Sequence, residues 1–312
     1  MAKLSKKNMD WLREKFGERA NFNRIERLLY SHDIAAIASV FKPLIGNTVP
    51  HAVVQPQNEE ELIDLIQWAN KNRIPLTPRG KGTSGYGGII PARKGIVVDF
   101  YRMKDVISID KDGEKVTVQP GITWEQLDKE LKPEGLTIRL YPTSYPSSSA
   151  GGWLAQGGAG LGSYEYGWFS ENVVSARVVL PSGEVKEYSG DELEVIADAE
   201  GTTGFISQMT INIQKLTDIG VAAIAWPEGA CNPNQVAISG DEFLPGLSAL
   251  ARRVKRHGCA AAMQLQHAGK VAVRDIVAGR PMLVPSLPPV DKGEMIETLT
   301  EQETAAFVKS YT

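Results

Sequence analysis

The chain has 312 residues, 42% of them hydrophobic and 23% charged, which is typical of a globular protein with a substantial core. Its formal net charge of −3 argues against a nucleic-acid-binding surface or a strongly basic membrane-binding one. The two cysteines, Cys231 and Cys259, are too few for a disulfide framework or a cysteine-based metal or iron–sulfur site. These features predict a reduced, cytoplasmic setting.

The N-terminal half predicts alternating helices and strands. Its first residues, MAKLSKKNMDWLREKFG, are charged and lack a signal-peptide core, and no apolar run reaches the ~20 residues that span a bilayer. Asn58 is expected to cap a helix over NEEELIDLIQWANKNR, because Glu61 follows three residues later. Thr123 and Gln126 have the spacing of a capping box that opens the helix TWEQLDKELK. The segments predicted as strands are IPLTP, GIVVDF and EKVTVQPG.

A Gly- and Ser-rich stretch, Pro142–Gly167, comes next. It contains several large apolar side chains, such as Trp153 and Tyr164, which argue against a disordered linker. Three strands are predicted after it, in VVSARVVL, VKEYS and EGTTGFISQMTINIQ. Short strands with few helices indicate an α+β fold for residues 1–214, which include an N-terminal helical extension.

The pattern changes after Gln214. VAAIAWPEGA and CAAAMQLQHAGK read as buried strands on either side of an amphipathic helix, DEFLPGLSALARRVKRHG, which is the order of a βαβ unit. A Pro-rich stretch, Val277–Val290, and a short helix in TEQETAAFVKSY complete the chain. We therefore predict two domains, residues 1–214 and 215–312.

The stretch PRGKGTSGYGG, Pro78–Gly88, contains the pattern G-x-G-x-x-G. A Rossmann turn would need a helix at the third glycine, and the glycines and proline that follow oppose one. A P-loop is excluded as well, because no Gly-Lys-Ser/Thr closes the motif. An ordinary surface turn and an anion-binding nest of backbone N–H groups remain. A second cluster, Gly151–Gly162, favours the nest, with a long phosphate-bearing ligand held from two sides.

The order of motifs resembles the FAD-binding domain of the vanillyl-alcohol oxidase, or PCMH-type, flavoprotein superfamily. It is most similar to the branch with D-lactate dehydrogenases and glycolate oxidase FAD subunits, over about residues 20–214. The matching motifs are VQPQNEEELIDLIQWANKNRIPLTPRGKGTSGYGG, GIVVDF, VTVQPGITWEQLDKEL, PSSSAGGWLAQGGAG, YGWFSENVVSARVVLPSGEV and EGTTGFISQMTINI. The resemblance implies two α+β subdomains, FAD, and dehydrogenation of a 2-hydroxy acid such as lactate or glycolate by hydride transfer to the flavin.

The resemblance also implies the residues of the FAD site. The pyrophosphate would be wrapped by Arg79, Gly80, Lys81, Gly82, Thr83 and Ser84. The ribityl and isoalloxazine region would contact Thr143, Ser148, Ser149, Gly151 and Gly152. The remaining wall would be Gly157, Tyr166, Gly167 and Val173, with Glu200, Gly201 and Ile206 near the adenosine end. Some relatives tether the flavin through a His in the first loop. That loop has no His here, so we predict non-covalent FAD and a structural role for His51.

The C-terminal segment, about residues 218–312, resembles part of the Old Yellow Enzyme type of barrel. The resemblance places Gly229 and Gln264 at FMN-contacting positions and makes His267 mainly structural. A TIM barrel needs eight strands and about 200 residues, and fewer than about 100 remain here. We therefore do not expect this segment to bind FMN. We expect an incomplete barrel-like βαβ segment that packs on the FAD domain, is completed by a partner, or belongs to a truncated or fused reading frame.

Catalytic residues are not assigned, because the substrate groups of such relatives come largely from a cap domain that is not recognisable here. Arg139 and Tyr141 are possible substrate-side groups, but a surface Arg and a core Tyr are the preferred interpretation. Two alternatives stay open: an FAD-binding electron-transfer subunit without its own substrate site, and a chain with an inactive tail. The expected partners are a small-molecule substrate and an electron-acceptor or iron–sulfur protein, through which the chain could lie beside a membrane.

Overall fold

The computed structural model describes residues 4–34, 46–217, 244–256, 282–284 and 296–298. It divides the chain into two compact units, Met1–Thr217 and Asp218–Thr312. Among the described residues, no helix is both long and apolar enough to span a bilayer.

The first unit contains six α-helices, ten strands and five short 3-10 segments in its described part. The helices are α1 (Lys6–Phe16), α2 (Arg24–Leu29), α3 (Glu59–Lys71), α4 (Trp124–Leu131), α5 (Ala150–Gln156) and α6 (Ser163–Tyr166). The strands are β1 (Ala20–Asn21), β2 (Ala52–Val54), β3 (Leu76–Arg79), β4 (Ile96–Asp99), β5 (Val106–Asp110), β6 (Lys115–Val118), β7 (Leu136–Ile138), β8 (Val173–Val179), β9 (Val185–Ser189) and β10 (Phe205–Lys215). The 3-10 segments are Gly17–Arg19, Phe100–Arg102, Lys132–Glu134, Ser170–Asn172 and Gly190–Val195.

The first subdomain is a four-stranded sheet in the order β1-β2-β4-β3. Strands β2, β4 and β3 are parallel, and β1 is antiparallel to β2. Every residue of β4 is buried, as expected for a continuous apolar run in a parallel sheet. Helices α1 and α3 contribute Leu12, Phe16, Leu62 and Leu65 to the same core. The sheet therefore fixes the ends of β3 and β4, from which the first glycine-rich loop leaves and returns.

The predicted cap of α3 is confirmed, because the Asn58 side chain accepts a hydrogen bond from the Glu61 N–H at 2.9 Å. The Glu61 carboxylate does not complete a capping box by accepting a hydrogen bond from the Asn58 backbone N–H. It accepts from the backbone N–H of Gln57 at 2.9 Å and from Arg19 Nη2 at 2.8 Å. This partly buried ion pair ties α3 to the segment after α1.

The Arg19–Glu61 pair predicts how stability depends on pH. The hydrogen bond from Arg19 holds the pKa of Glu61 below its usual value, although burial opposes the shift. A carboxylate with a lowered folded-state pKa stabilises the protein above its unfolded pKa of about 4.3, and this stabilisation is lost as pH falls through the folded value. We expect the unfolding free energy of the Glu61→Gln variant to fall less than that of the wild type between about pH 5 and pH 3. Urea titrations across this range would test it, and parallel curves would contradict it.

The second subdomain is a six-stranded antiparallel sheet in the order β5-β6-β10-β8-β9, with β7 paired to the end of β10. The capping box at the start of α4 is confirmed. Thr123 Oγ1 accepts from Gln126 N, and Gln126 Oε1 accepts from Thr123 N, each at 3.3 Å. The core of this subdomain includes an aromatic trio, in which Trp153 stacks on Phe169 at 4.4 Å and Trp124 meets both rings edge-on.

The two subdomains share part of their cores. Val179 of β8 and Phe205 of β10 belong to the second sheet, yet their side chains lie in the core of the first. Arg177 of β8 and Ser207 of β10 also bond to Glu59 at the start of α3. Strands of the second sheet therefore extend into the first subdomain.

The described part of the second unit consists of α7 (Leu244–Lys255) and a parallel pair of strands, β11 (Met282–Val284) and β12 (Ile296–Thr298). Helix α7 lies within the segment predicted to be helical. The strands predicted in VAAIAWPEGA and CAAAMQLQHAGK lie outside the described residues, as do Gly229, Gln264, His267 and the last predicted helix. The incomplete barrel stays a prediction.

Candidate functional site

The first glycine-rich loop runs from the end of β3 back to β4 without forming a helix anywhere in residues 80–95. Gly82 has a φ of +68° and packs against the Arg79 side chain, so that a Cβ there would lie 2.9 Å from Arg79 Cζ. The left-handed backbone conformation therefore favours glycine at this position. The loop lacks the helix of a Rossmann turn, so an anion would be bound by backbone N–H groups and side chains alone.

Arg79 supplies a positive charge at the base of this loop. Its Nη1 donates to the His32 carbonyl at 2.9 Å, and its guanidinium lies 5.0 Å above the Tyr30 ring. Burial lowers its pKa, while Tyr30 and Asp99 oppose the shift, and an arginine remains charged. Asp99 is buried and already accepts from Tyr30 Oη at 2.9 Å and Gln55 Nε2 at 2.7 Å. Asp99 and Asp33 also interact electrostatically with the guanidinium. Arg79 lines the cleft, where its positive charge can attract an anion.

The second glycine-rich segment contains helix α5, where the sequence indicated only a loop. The segment is held to the residues before α4, with Ala150 N donating to Ile122 O at 3.0 Å and Gly151 N to Pro120 O at 2.9 Å. A Cβ at Gly151 would lie 2.9 Å from Pro120 Cα. Glycine is therefore needed for α5 to approach Pro120 this closely.

Ser149 lies where the two segments meet. The residue is 1% exposed, and its hydroxyl has no hydrogen-bond partner among the described residues. Gly80 faces it from the first loop, and a Cβ at Gly152 would come within 2.9 Å of Ser149 Oγ. An unsatisfied buried hydroxyl costs about 1–3 kcal/mol. A ligand oxygen in the cleft would remove that cost, so this hydroxyl indicates a ligand-binding position.

The two segments enclose an open cleft of about 820 Å³, a volume that includes space continuous with solvent. Thirteen of the eighteen predicted site residues line it: Arg79, Gly80, Lys81, Gly82, Thr83, Ser84, Ser148, Ser149, Gly151, Gly152, Glu200, Gly201 and Ile206. Glu200 is partly buried, and burial together with Asp33 and Asp198 raises the pKa of its carboxyl group. Residues far apart in sequence are thus brought together around one cavity.

The lining does not include the other five predicted residues, Thr143, Gly157, Tyr166, Gly167 and Val173. Tyr166 instead donates to Gln214 Oε1 at 2.7 Å and lies against the Arg139 guanidinium. Arg139 and Tyr141 do not line the cleft either, since Arg139 Nε donates to Ile213 O at 2.9 Å and Tyr141 Oη bonds to Thr137 at 2.7 Å.

Nine further residues line the cleft that were not predicted from the sequence: Pro78, Ile89, Phe100, Pro120, Ser144, Trp153, Ala155, Gln156 and Gly204. Trp153, Ala155 and Gln156 belong to α5, so a correct helix prediction would have drawn attention to them. Pro120 and Phe100 are apolar residues in segments that connect regular elements, so nothing in the sequence marks them as ligand contacts.

Residues 50–189 match a family described as an FAD binding domain. Curated relatives include the mitochondrial D-lactate dehydrogenase [cytochrome] of Arabidopsis thaliana, 34% identical over 185 residues, and glycolate oxidase subunit GlcD of Bacillus subtilis, 28% identical over 196 residues. Residues 50–189 therefore form an FAD-binding domain of this family. These matches cover 56% and 60% of this chain but only 32% and 40% of the two relatives, so the chain spans about a third to two fifths of their length.

The FAD-binding domain is also similar to a solved alkyldihydroxyacetonephosphate synthase structure, with a TM-score of 0.63 and 25% identity. The match covers 69% of this chain and 45% of that structure. These findings confirm the predicted PCMH-type family, the α+β fold and FAD as the cofactor. The geometry fits FAD, because Arg79 and the glycine-rich loop suit a diphosphate and Ser149 offers a donor.

Proposed function

We propose that this chain is the FAD-binding part of an oxidoreductase that dehydrogenates a 2-hydroxy acid such as lactate or glycolate. The observation that carries the proposal is the cleft, where Arg79 and the unpartnered Ser149 hydroxyl come from two glycine-rich segments. The substrate class is suggested by relatives named as a D-lactate dehydrogenase and a glycolate oxidase subunit. When bound, FAD supplies hydride acceptance, and the protein supplies binding and orientation.

Each wall of the cleft has its own task in this proposal. Arg79 and the backbone N–H groups of residues 80–84 neutralise and hold the diphosphate, with Lys81 adding charge. Ser149 donates its hydroxyl hydrogen to the cofactor, which satisfies an otherwise unpaired buried group. Trp153 is 6% exposed and provides an apolar wall that keeps water from the cofactor.

FAD is proposed to bind without a covalent link. Among the described residues that line the cleft, none is a His or a Cys, the side chains with the nucleophilic nitrogen or sulfur for such a link. His32 contributes its carbonyl oxygen to Arg79 and does not belong to the lining.

The cofactor proposal is tested by the visible spectrum of the purified chain, followed by chromatography of the flavin released on heating. We expect released FAD, with no flavin left on the precipitated protein. Flavin retained by the precipitate would contradict non-covalent binding. FMN in the supernatant would contradict the view that the C-terminal segment holds no flavin site. A chain that takes up no flavin from excess FAD would contradict the use of the cleft as a cofactor site.

A second candidate function is that of an FAD-binding electron-transfer subunit that depends on a partner for its substrate. One observation favours it: a relative of this chain is named as a subunit, glycolate oxidase subunit GlcD of Bacillus subtilis. In this case an electron-acceptor or iron–sulfur protein would bind the chain, in the cytoplasm or beside a membrane. Turnover of lactate or glycolate by the FAD-loaded chain with an artificial dye separates the two. Dye reduction supports the first function, and its absence supports the second.

A further inference from the structure

One group of contacts at the junction of the two subdomains is formed by Glu59, Arg177 and Ser207, here called the junction clamp. The Glu59 carboxylate accepts from Arg177 Nε at 3.1 Å and Nη2 at 2.8 Å. It also accepts from Ser207 Oγ at 2.6 Å. Glu59 lies on α3 of the first subdomain, whereas Arg177 and Ser207 lie on β8 and β10 of the second. The junction clamp therefore joins α3 of the first subdomain to β8 and β10 of the second, and β10 contributes Ile206 to the lining of the FAD cleft.

Ser207 is also the extra residue of a β-bulge. Strand β10 pairs Ile206 with Val178 and Gln208 with Arg177, and this leaves Ser207 without a partner on β8. The Ser207 hydroxyl is oriented by Glu59 and lies 3.2 Å from the Arg177 carbonyl. Bulges bend a strand and redirect its side chains, often beside functional sites. The preceding residue, Ile206, lines the FAD cleft.

We propose that Glu59 is a positioning residue for FAD binding, because it holds the bulge at Ser207 and thereby fixes Ile206 and the second wall of the cleft relative to the first. Glu59 does not line the cleft itself and acts through Ser207 and Arg177. The proposal rests on FAD binding in this cleft and is independent of which hydroxy acid is the substrate. Without the clamp, a smaller fraction of the molecules would have the two walls at the correct spacing. The apparent affinity for FAD would fall in proportion to that fraction.

The chain provides a matched control two residues away on the same helix. Glu61 also forms a bidentate ion pair with an arginine, Arg19, and is also partly buried. Both partners of that pair lie in the first subdomain, and neither lines the cleft. Glu61→Gln therefore removes a comparable ion pair without affecting the junction between the two walls.

The test measures the Kd for FAD by titrating apoprotein with the cofactor and following flavin fluorescence, with urea unfolding of each apoprotein alongside. Glu59→Gln is expected to raise the Kd about tenfold, and Ser207→Ala to raise it by a smaller factor. Glu61→Gln is expected to lower the urea midpoint while leaving the Kd within about twofold of the wild type. Arg177→Lys keeps the charge but loses the bidentate hydrogen bonding to Glu59, so its Kd for FAD should lie between those of wild type and Glu59→Gln.

The proposal is overturned if Glu59→Gln changes the Kd no more than Glu61→Gln does. If Glu59→Gln does not fold, the milder Ser207→Ala variant decides, and a wild-type Kd in that variant overturns the proposal. A wild-type chain that fails to bind FAD would overturn the cofactor site as well. A different result would reject the junction clamp alone. In that case wild type, Glu61→Gln and Glu59→Gln would all bind FAD equally tightly.

Discussion

Replacing Gly80 with alanine is expected to raise the Kd for FAD at least about 100-fold. The new Cβ would overlap Ser149 Oγ and would lie 3.6 Å from Ser149 Cβ and 3.7 Å from Gly152 Cα. Ser149 is 1% exposed, so its hydroxyl has little space into which it can move. The first loop would be displaced from the second segment, and the donor that we assign to the cofactor would be displaced with it. Flavin fluorescence titration of the apoprotein measures this loss.

Two further variants show whether the Gly80 effect is local. Gly85→Ala changes the same loop, but its Cβ would meet only a carbon of Ile34 at 4.0 Å, so FAD binding should be retained. The double variant Gly80→Ala/Ser149→Ala removes the clash, because the remaining Cβ–Cβ distance of 3.6 Å is an ordinary contact. It should bind FAD at least about tenfold more tightly than Gly80→Ala alone, though less tightly than wild type. Equal affinities of Gly80→Ala and Gly85→Ala would show that the close approach of the two segments is not needed.

The largest loss of stability is expected for Trp124→Ala, at about 3–5 kcal/mol of unfolding free energy. Trp124 is 1% exposed, and its ring contacts Trp153 and Phe169 edge-on at centroid distances of 5.3 and 5.4 Å. Its removal would leave a cavity at the centre of the second core, beside the helix that lines the FAD cleft. A loss of this size is a large part of the about 5–15 kcal/mol that stabilises a typical domain. Urea unfolding of the apoprotein, monitored by circular dichroism, measures it.

Trp168→Ala is the matched control for Trp124→Ala. Trp168 is 56% exposed, and its removal should change the unfolding free energy by no more than about 0.5 kcal/mol. Trp124→Phe should cost less than alanine, because it retains an aromatic ring and removes an indole N–H that has no acceptor among the described residues. Similar losses for Trp124→Ala and Trp168→Ala would contradict the view that the aromatic trio is the centre of this core.

Local chemistry in the sequence was sufficient to predict several elements. Asn58 and the Thr123–Gln126 pair marked two helix starts, because a capping side chain must lie within three residues of the N–H that it satisfies. Arg79 and the glycines beside it indicated an anion-binding loop for the same reason. The charge, the absence of bulky side chains and the missing helix are all local properties.

Helix α5 was not predicted from the sequence because two of its seven residues are glycines, which disfavour a helix. The structure shows what outweighs this preference. Gly151 lets the helix approach Pro120, and Trp153 and Leu154 are buried in the second core. The gain from burying large apolar side chains exceeds the backbone cost of about 1 kcal/mol per glycine. That gain depends on residues far away in the sequence.

Other features depend wholly on long-range pairing. Tyr30, whose ring lies beneath Arg79, directly follows α2 and is 49 positions earlier in the chain, and no local pattern connects the two residues. The bulge at Ser207 arises from the register between β10 and β8, and a sequence that simply alternates apolar and polar residues does not reveal it. For these reasons the residues of the first loop were predicted, whereas the Tyr30 ring beneath Arg79 and the bulge at Ser207 were not.

The insertion of Val179 and Phe205 into the first core has a consequence for how the FAD-binding domain unfolds. Each residue belongs by hydrogen bonding to the second sheet and by side-chain burial to the first core. Neither core can lose its packing without exposing apolar surface that the other contributes. The two halves should therefore unfold in one cooperative transition, so the cleft would be lost as a whole and a half-formed cofactor site would not accumulate.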